Sequence, residues 1–205
     1  MNIAALFASR LSQILIGAIM AVVWLTFALL NVRAFQVTGD AVYLVFCGTE
    51  SVTALFFLVR TKPVTVTVHG GDWALAVAGT FASFLFTPAE QGLLPAAAAL
   101  IYLGAALQLG GMLSLNRSIG MVPAKRVIKT QGLYRLVRHP LYASYLLSFC
   151  GYMLTNTSPA NVAVFGITVA LLALRILREE RHLAQDGHYR DYMAQVKFRL
   201  LPFVF

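Results

Sequence analysis

The sequence predicts an all-α integral membrane protein with about six transmembrane helices. Of its 205 residues, 59% are hydrophobic and only 12% are charged, an apolar fraction well above that of an ordinary soluble domain. Uncharged runs follow one another along the chain, and about 20 apolar residues are enough to cross a hydrocarbon core of about 30 Å. The composition excludes a disordered chain and, with only two cysteines, a disulfide-rich secreted module.

The apolar runs give the predicted spans in order. The first run, residues 11–32, is long enough to span and has no small-residue cleavage site after it, so we expect a permanent anchor rather than a signal peptide. Gly, Pro, Thr and Asp residues separate the later runs. These runs cover residues 41–59, 73–89, 93–115, 141–155 and 160–174, and the last two are short.

The basic residues orient the predicted spans. If the N-terminus is cytoplasmic, every Lys and Arg of the 16 except Arg33 falls in a segment on the cytoplasmic side, as the positive-inside rule requires. We therefore expect both termini and the active site to be cytoplasmic. The net charge of +8 then follows from topology, which predicts contact with membrane lipids but no nucleic-acid partner. Nothing in the sequence indicates an obligate protein partner.

The chain divides into two predicted parts. Residues 1–115 contain about four spans joined by short loops, whereas residues 116–205 contain two long polar segments around a transmembrane hairpin. In the second part, Pro140 predicts a helix start, since its missing N–H group and fixed φ suit the first turn. His139 then lies at the N-cap, where unpaired N–H groups and the positive end of the helix dipole favour an anion.

The hairpin is expected to bring opposite charges together. Antiparallel packing about a turn near Ser158 sets Pro140 beside Ile176, so four charged residues would face His139. These are Arg175, Arg178, Glu179 and Glu180. Such charges at a helix end in the membrane interface must be paired or hold a ligand, and a zwitterionic amino-acid end would satisfy both signs. Taken separately, the Arg-His-Pro motif could be a basic stop sequence with a helix-starting proline. The glutamates and arginines of the returning helix could form an ordinary solvated i, i+4 network.

An acidic residue lies in the middle of the second span. An ionisable group at this depth is costly and indicates function by default, so we predict that Glu50 binds substrate. A structural partner such as Gln108, or a protonated carboxyl, is the alternative explanation. The histidines His69, His182 and His188 lack metal-ligand spacing, and we predict no metal site.

An ordered set of motifs fills the second part of the chain. It reads Gly132-Leu133-Tyr134, Arg138-His139-Pro140-Leu141-Tyr142 and Glu179-Glu180, followed by Gly187, Tyr189, Tyr192, Val196 and Pro202. This order resembles the isoprenylcysteine carboxyl methyltransferase family and its relatives among membrane phospholipid methyltransferases. The sequence departs from the family pattern at Arg126, where histidine is usual, and at Ser144, where glycine is common.

The resemblance implies S-adenosylmethionine as the methyl donor and a lipophilic or prenylated acceptor that enters from the bilayer, most simply a carboxylate of isoprenylcysteine type. By the family pattern, the residues implied for cofactor binding are Arg126, Val127, Ile128, Lys129, Tyr134, Arg138, His139, Pro140, Leu141, Tyr142 and Glu179.

Two residues are implied for the reaction itself. Arg175 would bind and orient the acceptor, and Glu180 or His139 would take the proton from an amine acceptor. A carboxylate acceptor would need no base. The catalytic prediction is therefore Arg175 and Glu180.

Three other functions stay open. The acceptor could be a phospholipid or a small molecule methylated on nitrogen or sulfur. A sterol-type membrane reductase would use NADPH, but its pattern usually lacks the proline that stands here as Pro140. A non-enzymatic membrane protein would use the polar cluster only for structure.

Overall fold

Helices dominate the computed structural model, which describes residues 9–90 and 92–203. In chain order the helices are α1 (Arg10–Thr38), α2 (Val42–Val59), α3 (Gly70–Phe81), α4 (Ala98–Leu115), α5 (Pro140–Thr155), α6 (Pro159–Leu183) and α7 (Gly187–Gln195). Two short strands, β1 (Thr65–Val66) and β2 (Ala124–Lys125), pair antiparallel. The all-α prediction is confirmed. The terminal residues, predicted to be cytoplasmic, lie outside the described ranges.

Each of the six predicted spans overlaps one of the helices α1–α6. Four helical stretches in the described part of the chain are long and apolar enough to cross a membrane, with mean hydropathies of 1.7 to 2.3. These are Arg10–Thr38, Val42–Val59, Pro95–Ser118 and Pro159–Leu183. The chain is therefore an integral membrane protein. α3 and α5 are shorter, with 12 and 16 residues, so the count of six spans stays a prediction.

Local hydrogen bonds set the helix ends. The Ser9 hydroxyl accepts from the Ser12 N–H at the start of α1, and Ser158 accepts from the Asn161 N–H at the start of α6, as N-cap residues do. α1 ends at Gly39, whose φ of 70° is the left-handed conformation in which glycine commonly ends a helix. The helices therefore begin and end where capping chemistry allows, not only where the apolar runs do.

Polar contacts collect at the two ends of the helix bundle. At one end, the segments after α2, α4 and α6 meet. The Thr61 N–H donates to the Arg117 carbonyl over 2.7 Å, β1 pairs with β2, and Lys125 forms an ion pair with Asp186. We call this the site end, and it comprises residues 60–69, 116–139 and 183–199.

At the opposite end, Asn161 joins α6 to the segment that follows α3. Its side-chain amide donates to the Thr87 carbonyl over 2.8 Å, and its carbonyl accepts from the Thr87 N–H over 3.0 Å. Thr87 follows the 3₁₀ turn Ala82–Leu85 that continues α3. α3 and α5 therefore run between the same two ends as the longer helices, although they are short.

The helices pack most extensively as α1 with α2 and α4 with α5, and less extensively as α2 with α4 and α3 with α6. The α4–α5 contact is close enough to require a glycine at Gly104, because a Cβ atom there would collide with Ser148 and with the Ser144 carbonyl. This agrees with the usual role of small residues between membrane helices. α5 is thereby fixed from its middle, which positions the residues of its first turn at the site end.

Candidate functional site

A cavity of about 590 Å³ extends from the site end into the helix bundle. Its inner part is lined largely by aromatic side chains from several helices, including Trp24, Phe27, Phe46, Phe84 and Phe149. Its outer part is lined by charged and phenolic side chains from the 116–139 segment, α5, α6 and α7. The cavity is thus polar at the site end and apolar in the bundle.

Most of the predicted site residues line this one cavity. They are Glu50, Arg126, Val127, Ile128, Lys129, Tyr134, Arg138, His139, Leu141, Tyr142, Arg175 and Glu179. Two predicted residues do not line it. Pro140 is buried as the first residue of α5, and Glu180 lies behind the cavity wall among basic side chains.

Glu179 faces the cavity and makes one polar contact. The Tyr142 hydroxyl donates to its Oε2 atom over 2.7 Å, which joins α6 to the first turn of α5 as the hairpin register predicted. No cation forms an ion pair with Glu179 among residues 9–90 and 92–203. Its carboxylate can therefore accept a further hydrogen bond or bind a cationic group of a ligand.

Glu180 has the opposite environment. Its Oε1 atom accepts from Arg138 Nε over 2.6 Å and lies 3.1 Å from His139 Nε2, and its Oε2 atom accepts from Arg199 Nε over 2.9 Å. Glu180, Arg138 and His139 are all buried. Three donors therefore surround both oxygens of this carboxylate, which is how a buried charge is tolerated.

The C-terminal segment completes this cluster. Arg138 Nη1 donates to the carbonyls of Val196 and Lys197 over 2.7 and 2.8 Å. The backbone N–H groups of Arg138 and His139 donate to the carbonyls of Phe198 and Arg199. The His139 side chain makes no cap for α5, so the Arg-His pair anchors the chain end as well as lining the cavity.

Arg175 is held in a fixed orientation beside the cavity. Its Nη1 atom donates to the Thr80 hydroxyl over 2.9 Å, and its Nη2 atom donates to the Met121 carbonyl. The guanidinium carbon lies 5.4 Å from the centroid of the Tyr142 ring, a cation–π contact. No carboxylate pairs with Arg175 in the part of the chain that the structure describes, so its charge is free to act on a ligand.

The fourth charged residue of the hairpin points elsewhere. Arg178 Nη1 lies 3.5 Å from Asp72 at the start of α3, so the expectation that it faces His139 is wrong. Successive helical residues are about 100° apart around the axis, and four charges between positions 175 and 180 cannot share one face.

Arg126 closes the cavity from the 116–139 segment. Its Nε atom donates to the Thr61 carbonyl over 3.0 Å, and its side chain is buried against Gly120. Burial lowers the pKa of Arg126 to about 10, and the charge of Arg60 acts in the same direction while Glu179 opposes it. The guanidinium therefore stays protonated at neutral pH and places a positive charge near Glu179.

Three tyrosines form the outer wall of the polar part. The Tyr192 hydroxyl donates to the Tyr134 carbonyl over 2.7 Å, and the Tyr189 and Tyr192 rings are 5.7 Å apart. Tyr189 and Tyr192 are both buried and line the cavity, so α7 covers its polar part. Burial raises the pKa of all three phenols, which remain neutral hydrogen-bonding groups.

No sequence pattern indicated two parts of this arrangement. Thr80 on α3 and the Met121 carbonyl orient Arg175, but a single threonine and a backbone carbonyl carry no motif. Arg199 and the carbonyls of residues 196–199 complete the Glu180 cluster. Val196 and Pro202, the last positions of the motif set, lie in or just after that segment, but they did not indicate its contacts. No group of three potential metal ligands occurs in the described ranges.

The comparisons with known proteins concern the same region. A family model described as phospholipid methyltransferase matches residues 93–190, which supports a membrane methyltransferase. A solved structure of the eukaryotic intramembrane Ras methyltransferase, isoprenylcysteine carboxyl methyltransferase, is similar at 22% identity and a TM-score of 0.44, covering 100% of this chain and 79% of that one. The curated proteins contain no match. The predicted resemblance to membrane methyltransferases is therefore confirmed, in the segment that contains the Arg-His-Pro motif and both glutamates.

Proposed function

We propose that this chain is an S-adenosylmethionine-dependent methyltransferase that acts on a lipophilic acceptor. The observation that carries the proposal is the single cavity with a charged outer part at the site end and an aromatic inner part in the helix bundle. A polar donor and an apolar acceptor suit the two parts of such a cavity, and their reacting ends would meet where the parts join.

The residues of the outer part fit the amino-acid end of the donor. Among the described residues, only Tyr142 donates a hydrogen bond to the Glu179 carboxylate, which suits the ammonium group. Arg126 and Lys129 line the same part of the cavity and suit the carboxylate. Tyr134, Tyr189 and Tyr192 would cover the remainder of the donor. When bound, S-adenosylmethionine supplies a methyl group activated by a sulfonium.

The chain's own contribution to transfer would be orientation. Well-oriented reactants about 3 to 3.5 Å apart avoid most of the entropic cost of meeting. Arg175 is held rigidly by Thr80, Met121 and the Tyr142 ring, and we propose that it binds an anionic group of the acceptor. The aromatic inner wall would exclude water from the reacting groups.

The acceptor is proposed to carry its reactive group on an apolar body. A carboxylate of isoprenylcysteine type would be oriented by Arg175 and would need no base. An amine acceptor, which the matched phospholipid methyltransferase family makes the second candidate, would have to lose a proton.

The two candidate bases are not equivalent. His139 lines the cavity, whereas Glu180 does not. We therefore propose that His139 would take a proton from an amine acceptor. Glu180, 3.1 Å from His139 Nε2, would be a positioning residue that holds His139 and Arg138 rather than a catalytic one.

We also propose that the site end faces the cytoplasm. The segments that carry almost all Lys and Arg residues contact one another there through β1–β2 and the Lys125–Asp186 pair, and only Arg33 is expected on the other side. Labelling of single cysteines introduced at Lys62 and Glu90 in sealed inverted vesicles tests this. The first should react with a membrane-impermeant thiol reagent and the second should be protected.

The test of the activity is donor binding by the detergent-purified protein. Calorimetry with S-adenosylmethionine and, separately, NADPH should show binding of the sulfonium donor alone. Glu179→Ala should abolish that binding and leave the unfolding midpoint unchanged. Glu90→Ala is the matched control, because Glu90 is exposed on the loop after α3 and does not line the cavity.

Each outcome separates the candidate functions. Binding of S-adenosylmethionine that is lost only in Glu179→Ala supports the methyltransferase. Binding of NADPH alone would replace it with the reductase. If the folded protein bound neither S-adenosylmethionine nor NADPH, a non-enzymatic membrane protein would be the remaining candidate. Unchanged donor affinity in Glu179→Ala would refute the proposed donor site.

A further inference from the structure

Two side chains that could bind a polar ligand line the membrane part of the cavity. Glu50 lies near the middle of α2, and Gln108 lies on α4, and both belong to the cavity wall. Within residues 9–90 and 92–203, neither side chain makes a hydrogen bond or an ion pair. The structural pairing of Glu50 with Gln108 that the sequence allowed is therefore not formed.

Neighbouring hydroxyls do not satisfy Glu50. The Thr49 and Thr53 hydroxyls both donate to carbonyls of α2 itself, those of Phe46 and Thr49, over 3.0 and 2.7 Å. These bonds turn the hydroxyl protons toward the helix backbone. The half-buried side chain of Glu50 is partly open to the cavity and receives no hydrogen bond from the residues that the structure describes.

Arg175 does not pair with Glu50. The charges of both residues act on the Tyr145 side chain of α5, so both lie near this residue. Arg175, however, donates to Thr80 and Met121 and stacks on Tyr142. The inner cavity thus contains a guanidinium and a carboxyl group that do not pair with each other.

A hydrocarbon chain would be a poor occupant for this arrangement. Covering an unpartnered carboxyl group with apolar groups removes its remaining solvation and offers no hydrogen bond in return, which is unfavourable for the neutral and the ionised form alike. A ligand that brings a cation with N–H donors reverses this balance, because a charge-assisted hydrogen bond replaces the lost hydration. The Gln108 carbonyl offers a second acceptor for the same group.

We propose that Glu50 and Gln108 form a recognition site for a protonated amine carried by the lipophilic acceptor. The inference rests on the proposed function, in that the amine belongs to the molecule that is methylated. Together with Arg175, the site defines an acceptor that carries an anionic and a cationic group on an apolar body. Glu50 is then a residue that determines acceptor specificity and does not bind the methyl donor.

The test uses two amphiphiles that differ only in their polar group. Dodecylamine, charged at neutral pH, and dodecanol, uncharged, are titrated into the protein in phosphatidylcholine nanodiscs, with empty nanodiscs as the blank for partitioning. The wild-type protein should bind dodecylamine at least about tenfold more tightly than dodecanol, since truncating one partner of a buried charge pair has effects of that size or larger.

The variants identify the group responsible. Glu50→Gln should remove the preference for dodecylamine and leave dodecanol affinity within about twofold, because only the charged pair is lost. Gln108→Leu should weaken dodecylamine binding about threefold to tenfold, as one hydrogen bond is removed. Glu90→Gln, outside the cavity, should change nothing.

Donor binding separates this inference from the proposed function. S-adenosylmethionine affinity should be unchanged in Glu50→Gln and Gln108→Leu, which also shows that both variants are folded. A wild-type protein without preference for dodecylamine, or a preference that survives Glu50→Gln, would overturn the amine site even if the donor binds. Loss of donor binding in the wild type with the amine preference intact would refute the methyltransferase and leave the amine site standing.

Discussion

Glu179 and Glu180 are consecutive residues of α6 with opposite environments. Glu180 is buried and receives hydrogen bonds on both oxygens from basic side chains. Glu179 faces the cavity and, within residues 9–90 and 92–203, accepts a hydrogen bond only from the Tyr142 hydroxyl. One turn of helix thus carries a carboxylate already satisfied by the protein and another that a ligand can satisfy. A double glutamate therefore combines two separable tasks, holding the fold and binding a ligand, and each can be disturbed alone.

Removing the charge of Glu180 is the largest expected disturbance. In Glu180→Gln the basic groups of Arg138 and Arg199 lose their buried counter-ion, and the C-terminal segment loses its attachment. Breaking a buried ion pair costs about 3 to 5 kcal/mol, so the free energy of unfolding in detergent should fall by that amount. Chemical denaturation followed by circular dichroism measures it.

The control for this variant is the neighbouring substitution. Glu179→Gln, which has the same chemistry one residue earlier, should leave the denaturation midpoint unchanged. Equal losses of stability in the two variants would show that both glutamates belong to one structural network. That result would contradict the separate roles inferred from their different contacts.

Glu179→Gln should instead lower donor affinity. Hydrogen bonds to charged groups contribute about 1.5 to 3 kcal/mol, so S-adenosylmethionine affinity measured by calorimetry should fall at least tenfold, or about 1.4 kcal/mol. Folded Glu180→Gln protein, examined below its denaturation midpoint, should retain most of its donor affinity. A greater loss of affinity in Glu180→Gln than in Glu179→Gln would exchange the roles of the two residues.

Removing the hydroxyl of Tyr142 should have a smaller effect. Tyr142→Phe deletes the hydrogen bond that orients Glu179 but keeps the ring on which Arg175 stacks. We expect donor affinity to fall by about 0.5 to 1.5 kcal/mol, the usual contribution of one hydrogen bond. Tyr145→Phe on the same helix is the control, since Glu179 receives no hydrogen bond from it. No change in Tyr142→Phe would mean that Glu179 is oriented by the helix alone.

The sequence predicted the positions of α1–α6 better than their lengths. The first apolar run ends at residue 32, where Arg33 brings a charge, but α1 continues to Thr38 because it ends only at Gly39. The run over 73–89 stays apolar after α3 has ended at Phe81. Hydropathy detects where charges begin, whereas a helix ends where its backbone hydrogen bonds are capped.

The site shows the same limit at the scale of side chains. Pro140 and the hairpin turn placed the Arg-His pair opposite the two glutamates, as observed. The sequence did not reveal which glutamate faces the cavity, because that depends on the rotation of α6 about its axis, fixed by contacts with α3 and α5. The extended segment at residues 196–199 was equally hidden, since backbone carbonyls bind there without any side-chain pattern.

The smallest expected effect concerns α7, which covers the part of the cavity that contains Glu179. Lys125, in β2, pairs with Asp186 at the start of α7, the helix whose tyrosines cover the donor part. The pair is partly exposed, and such pairs contribute little to stability, so Lys125→Ala should leave the denaturation midpoint unchanged.

Its effect should appear in the kinetics of the donor. A looser α7 should raise the dissociation rate of S-adenosylmethionine by about twofold to threefold, measured by stopped-flow fluorescence. Salt should raise the wild-type rate toward that of the variant, because exposed charges are screened. Lys62→Ala removes another exposed lysine of the site end and should change neither rate nor salt dependence.

The pH dependence provides the last distinction. The hydrogen bond from Lys125 lowers the pKa of Asp186 below its ordinary value, so the pair persists at neutral pH and is lost only as the pH falls through that lowered pKa. The faster dissociation of the variant should therefore converge with the wild-type rate in acid and differ from it at neutral pH. A difference that grows in acid would place the origin of the effect outside this ion pair, and α7 would then be held over the cavity by its tyrosines alone.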